Sequence, residues 1–324
     1  MAQTTGTTTT HSVGTAGGNR EDLEDKIWDL FAEDTWALSN LEHTMAEATY
    51  HEWMLDSLAS AASNTAVEGN DPTYSTVANA TRVGNYCQIT QNNFLVSRTQ
   101  EKVAKAGVAR ASARQAMKKM RELKNDMEYD IVRNHASSAG SAAAARVSGG
   151  MESWIATNVT TTTTSTAASS GGFVSGIVQA PVDATESAAS EGVFKGLFSN
   201  AWSQGGNASI VLANTSTKAV IDGFTGIVTR NIDMSRSNPQ EAAIIGASNV
   251  YVSSYGVHTI KLHRHVRGAT IMALDPEYWA VAFLDTPFME ELAKTGDARK
   301  FMLSAEWCLV SRNEAASAKL VGVQ

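Results

Sequence analysis

TYHEWMLDSLASAASNTAVEGNDPTYSTVANATRVGNYCQITQNNFLVS, residues 49–97, is the stretch that decides how this chain can fold. It opens with large residues alternating with polar ones (TYHEWMLDSL) and closes in the same style (ATRVGNYCQITQNNFLVS), the period of two expected of strands. Between them lies SAASNTAVEGNDPTYST, small and turn-forming, with Gly69 and Pro72 as punctuation. The pattern predicts a long two-stranded ribbon. A lone hairpin is marginal at best in water, so this one needs a surface to lie on.

The stretch upstream has the same problem. From Glu21 to Asp56 eleven acids stand against the single base Lys26, a local charge of −10. Leu23, Ile27, Leu30 and Phe31 recur at helical spacing and predict a short amphipathic helix near 21–32. The residues from there to Ala48 have no clean period and read as an extended arm. Residues 1–20 are Thr- and Gly-rich with almost no apolar content, the composition of a mobile tail. Neither arm nor ribbon can bury an apolar face on itself, which points to another chain as the partner surface.

Downstream, TQEKVAKAGVARASARQAMKKMRELKNDMEYDIVR (99–133) predicts one long helix of about 50 Å. Met117, Met120, Leu123, Met127 and Ile131 form its apolar stripe, and Ser97 or Thr99 can cap its start. It carries nine bases and five acids, a solvated face or a track for the acidic segment. SSAGSAAAARVSGG (137–150) and NVTTTTTSTAASSGG (158–172) read as loops, the second mobile. A second helix is expected over about 184–204, capped by Asp183, stopped by Gly205–Gly206, and buried along Phe194, Leu197, Phe198, Ala201 and Trp202. Strands are expected at 209–213, within 250–274, at 280–284 and at 305–311. Strands and helices do not strictly alternate, so the fold class is α+β. No internal repeat stands out.

The 324-residue chain has 43% hydrophobic and 18% charged residues, ordinary globular composition. Its length allows one large domain or two smaller ones. A net charge of −7 weighs against a whole-chain nucleic-acid binder. No apolar run approaches a membrane span, and the N-terminus has no secretory signal. Cys87 and Cys308 alone make neither a disulfide framework nor a zinc site and read as free thiols in a reducing cytosol. There is no phosphate loop, HExxH or GxSxG. His263 and His265, two apart in an expected strand, could share a face with a metal, but Arg264 and Arg267 disfavour a cation. No catalytic, cofactor-binding or metal-ligating residue is assigned, and no enzyme is expected.

Four motifs carry a family resemblance. They are Glu52-Trp53-Met54-Leu55-Asp56-Ser57-Leu58, TRVGNYCQI (81–89) with its Asn and Gln, Arg121-Glu122-Leu123-Lys124-Asn125-Asp126-Met127-Glu128, and LAKTGDARKFMLSAEWCLVSRNEAA (292–316). In this order and spacing, over roughly 21–324, the chain resembles the major capsid proteins of tailed bacteriophages with the Hong Kong 97 (HK97-like) fold. The resemblance implies an N-arm (1–48), an extended E-loop (49–97) and the spine helix of a peripheral domain (98–136). It further implies axial-domain parts at 137–182 and 206–247, a second helix at 183–205, and peripheral or axial strands with the C-terminus at 248–324. The implied function is self-assembly into hexamers and pentamers of an icosahedral head enclosing double-stranded DNA, in the virion, after synthesis in the host cytoplasm. Implied partners are further copies, a portal, a separate scaffold or head protease (residues 1–20 alone precede the acidic arm), a decoration protein and non-specific DNA contact; no membrane is expected. Residues 49–97 contain no lysine, so a shell without covalent cross-links at that loop is expected. The alternatives are an encapsulin-like compartment shell and, in a different class, a soluble hydrolase or metal-binding protein using His263 and His265. The acidic arm (21–47) is expected to dock on basic residues such as Lys118, Lys119, Arg121 and Lys124 of the same or a neighbouring spine.

Overall fold

A computed structural model describes residues 33–59, 61–71, 79–162, 171–182, 185–224 and 249–324, with positions 27, 30, 31, 74, 76 and 77. The tail 1–20, most of the helix expected near 21–32 and the cap Asp183 lie outside them. The chain runs α1 (Trp36–Asn40), β1 (Glu42–Met45), β2 (Tyr50–Leu55), β3 (Thr81–Tyr86), β4 (Gln88–Ser97), α2 (Arg98–Lys102), α3 (Ala111–Val132) and α4 (Met151–Trp154). It continues with β5 (Val159–Thr161), β6 (Gly172–Val174), β7 (Ile177–Gln179), α5 (Glu191–Ser203), β8 (Ile210–Ala213), α6 (Thr215–Asp222) and β9 (Val250–Ser253). It ends with β10 (Gly256–Leu262), β11 (Thr270–Leu274), β12 (Trp279–Leu292), β13 (Ala298–Ser311) and β14 (Ala318–Val321).

Two sheets organise these elements. One has the order β1-β12-β13-β4, the other β5-β14-β11-β8-β10-β9. β1 runs parallel to β12, with Glu42 opposite Ala280. β12 and β13 form a long antiparallel pair from Trp279↔Ser311 to Leu292↔Lys300, and β4 completes that sheet from Ser97↔Ala298 to Gln88↔Trp307. The second sheet mixes parallel pairs (β8–β10, β5–β14) with antiparallel ones. Helices segregated from mixed sheets make the α+β class.

The long helix expected over 99–133 is broken. Ser97 caps α2 by accepting the Gln100 N–H at 3.2 Å, but the chain leaves the helix after Lys102 and re-enters at Ala111. Gly107 sits between them at φ 72°, in the left-handed region that ends helices. Val103 and Val108 flank it and add no helical propensity. The Glu101 carboxylate rejoins the two pieces, accepting from the Ser112 N–H (3.2 Å) and hydroxyl (3.0 Å). The remaining spine is 22 residues, about 33 Å long. Of its stripe, Leu123, Met127 and Ile131 are buried, Met120 is half-buried and Met117 is exposed. They meet Trp154, Trp279, Trp307, Leu303 and Leu309 in the larger core.

The second core forms around α5, where Phe194, Leu197, Phe198 and Ala201 pack on Val211, Ile271, Ala273 and Leu320. Trp202, expected on that face, is exposed instead. α5 also starts later than the sequence suggests, with Ser190 accepting the Val193 N–H. The reason is pairing: Ser187 bridges to Val323, and its N–H binds Gly322 O at 2.8 Å, so this stretch is held extended against the C-terminus. The Thr-rich stretch expected as loop supplies a strand, β5, because β-branched Val159, Thr160 and Thr161 pair with Lys319, Leu320 and Val321. Within SSAGSAAAARVSGG, bridges Ser138↔Val147 and Ser141↔Ala144 close a small loop. A Cβ on Gly150 would lie 1.9 Å from Arg133 O, so only glycine lets this loop close on the end of α3.

Candidate assembly surfaces

The ribbon is rooted in the body and free at its tip. β2 and β3 pair in register from Tyr50↔Tyr86 to Leu55↔Thr81. At the root, Trp53 Nε1 donates to Ser311 O at 2.8 Å, and its ring lies 5.5 Å from that of Trp154. The Tyr50 hydroxyl donates to Gly176 O. Asn85 is wholly buried: its Nδ2 donates to Leu309 O (2.7 Å) and Ser148 Oγ (3.1 Å), and its Oδ1 accepts the Gly149 N–H (2.9 Å). Gln88 donates to Asp130 Oδ2 at 2.6 Å and accepts the Ser148 N–H at 3.0 Å. Burial raises the pKa of Asp130. Thus the Asn and Gln of TRVGNYCQI tie the ribbon's return strand to the spine and the 148–149 loop. Beyond Leu55 no strand continues among the described residues, and Leu58 (99%), Val67 (80%), Tyr74 (93%) and Val77 (84%) stand in the open.

The arm docks on the spine through one buried carboxylate. Glu128, fully buried, accepts the Ala37 N–H at 2.6 Å and the Leu38 N–H at 2.9 Å, the free donors at the start of α1. It also bonds His263 Nε2 at 2.8 Å. Asn125, one turn earlier on α3, accepts the Asp34 N–H at 3.3 Å and meets His265 Nε2 at 2.9 Å. Asp34 in turn accepts the Arg264 N–H at 3.0 Å. Burial, with His263 beside it, lowers the pKa of His265. The two histidines therefore come together, but in a loop after β10 rather than in a strand, and their outer nitrogens bond Glu128 and Asn125. Among the described residues no group of three His, Cys, Asp or Glu is placed to hold a metal ion.

Among the described residues of the arm, charge plays a smaller part in this docking than the buried Glu128 bonds do. Of the four bases expected to receive the arm, Arg121 lies 3.6 Å from Glu33, while Lys118 and Lys119 pair with Glu122 of their own helix. A second arm contact joins Glu42 to Arg312, 2.5 Å. Between arm and spine an open groove of about 760 Å³ is lined by Leu38, Met45, Met120, Met127 and Phe283. Met45 is 83% exposed at its edge. The Glu128 site is not legible in the sequence beyond the motif that ends in it, because its arm partners lie about 90 residues away.

A largely buried ion pair ties α4 to the second sheet and the loop before β11. Arg267 forks onto Glu152 (2.9 and 2.6 Å), and Lys319 donates to Glu152 O. No helix is long and apolar enough to cross a membrane among the described residues.

Comparison with known proteins agrees with this architecture. Solved structures of similar fold include Mycobacterium phage Bobi (TM-score 0.61, 10% identity, 98% of each chain covered). The capsid of the cyanophage P-SCSP1u matches at TM-score 0.59 and 10% identity, over 99% of this chain and 97% of that one. The capsid of an empty GTA particle matches at 0.61 and 11%, over 97% and 99%. At such identities the likeness carries the fold alone, the HK97-like capsid fold. No curated protein matches the chain. A family model described as SU10 major capsid protein matches residues 3–324, so the chain belongs to the SU10 major capsid protein family and serves as a structural protein of the virion capsid.

Proposed function

We propose that copies of this chain assemble as hexamers and pentamers of an icosahedral head that encloses double-stranded DNA. In this reading the ribbon 49–97 is the E-loop and residues 1–48 are the N-arm, both lying across neighbouring copies. The spine belongs to a peripheral domain, and 137–182 and 206–247 belong to an axial domain at the capsomer centres. The observation that carries it is the ribbon's anatomy: a root tied by Trp53, Asn85 and Gln88, and a tip whose apolar residues are bare. Closed symmetric assembly covers surfaces that a single copy leaves open. The protein acts without catalysis. It is made in the host cytoplasm and meets a portal, a separate scaffold or head protease, a decoration protein, and packaged DNA through non-specific contacts. Electron microscopy of the purified full-length protein is expected to show capsomers or closed shells. A monodisperse 34.5 kDa species at all concentrations would overturn the reading.

A further inference from the structure

Cys87 and Cys308 are the chain's two cysteines, and shell assembly gives neither a role. Both are fully buried. β4 and β13 pair with Gln88 opposite Trp307, and one more step of that antiparallel register sets Cys87 against Cys308. Residues opposed in such ladders hold their Cα atoms about 4.5–5.5 Å apart, inside the range a disulfide spans. The Cys308 thiol is hydrogen-bonded to Cys87, and the Cys87 thiol donates to Ala48 O at 3.5 Å. Around them stand the small side chains of Ala46, Ala280 and Ala282, with Val310. The place is mechanical: Cys87 is the single residue between β3 and β4, at the ribbon's root, with its N–H held by Thr49 O at 2.8 Å.

We propose that Cys87 and Cys308 form an oxidisable pair that closes to an intrachain disulfide, stapling the ribbon's root to β13 once the protein meets a peroxide. The Cys87 thiolate attacks hydrogen peroxide; a sulfur–oxygen bond forms, the O–O bond breaks, and the departing hydroxide takes up the thiol's proton as water. The Cys308 sulfur then attacks the Cys87 sulfenic sulfur. The S–S bond forms, the S–O bond breaks, and hydroxide leaves with the Cys308 proton as a second water. Two thiols are oxidised and one peroxide is reduced to two waters. Roles follow from environment: the bond from Cys308 holds the Cys87 thiol below its ordinary range, while donating that bond and burial push Cys308 up, so Cys87 is the attacking sulfur. The oxidant is little larger than water, and the arm at Ala46–Ala48 forms one wall of the site.

The full-length protein is treated with hydrogen peroxide, alkylated in denaturant and digested with trypsin without reductant. The cleavage sites release Cys87 on peptide 83–98 and Cys308 on peptide 301–312. The expected result is these two peptides linked within one chain, with both thiols lost together. C308S should stop at a trappable sulfenic acid on Cys87, and C87S should leave Cys308 reduced. Two free thiols after treatment, links between chains, or oxidation starting at Cys308 would overturn the proposal. The wild-type peptide map decides even where a variant misfolds, and it reads the same from shells or free chains, so its failure is separate from that of the assembly reading.

Discussion

Glu128 shows how much one side chain can hold when its carboxylate is dry. Three donors converge on it, two from the arm's backbone and one from His263. Removing one partner from a buried charge cluster costs about 3–5 kcal/mol. Glu128→Ala should therefore free the arm, and hydrogen exchange at the Ala37 and Leu38 amides should speed up by two orders of magnitude or more. Unchanged exchange there would falsify the anchoring role. His258 is the matching case for pH. It is buried, bonded to Ala208 O and Ser253 Oγ, and stacked on Phe198 at 3.7 Å. Burial lowers its pKa, so the unfolded chain binds protons that the native ring refuses. Its stabilisation is present above the ordinary histidine value and lost as pH falls through the lowered one. The thermal midpoint should drop between pH 7 and pH 5, and His258→Gln should reduce that slope while lowering the midpoint at pH 7. Neither residue's role is legible in sequence: Glu128 sits in a recognisable motif, but its burial is set by α1 and the 263–265 loop, far along the chain.

Elements follow local rules except where a distant strand competes. Gly107 breaks the spine despite strong helix formers on both sides, a signal that composition over 35 residues hides. Thr-rich 159–161 becomes strand because β14 offers an edge, and the stretch around Ser187 stays extended because it bridges to Val323, just past β14. The ribbon was legible, since its period of two and its central turn residues both appear in the sequence. Its paired strands end at Leu55 and Thr81, and the described residues beyond them are almost all exposed. Replacing residues 57–79 with Asn-Gly, a favoured two-residue hairpin turn, should leave the circular dichroism and thermal midpoint nearly unchanged. The same variant should form no particles in the electron microscope. Normal shells from it would remove the tip from the assembly machinery.

At the scale of the molecule, charge and apolar surface divide the work. The acidic stretch 21–56, with its charge of −10, reads as an electrostatic strap, yet the arm's ion pairs among the described residues, Glu33–Arg121 and Glu42–Arg312, are half-exposed, worth about 1 kcal/mol or less each. Raising salt from 0.05 to 0.5 M should therefore leave the arm docked, as read by the same Ala37 and Leu38 amides; release at high salt would restore the strap. The ribbon's lack of lysine predicts that shells dissolved in hot detergent run as one 34.5 kDa band. A ladder of linked chains would contradict it.

Composition and periodicity alone reached the α+β class, the ribbon, the core stripe Leu123–Met127–Ile131 and the absence of a legible catalytic motif, because each depends on neighbours within a few residues. The arm's carboxylate anchor, the pairing of Cys87 with Cys308 and the release of His263 and His265 from any strand came only with the fold. Those depend on which segments meet across 90 to 220 residues, and burial of a polar group is a property of that meeting rather than of the group.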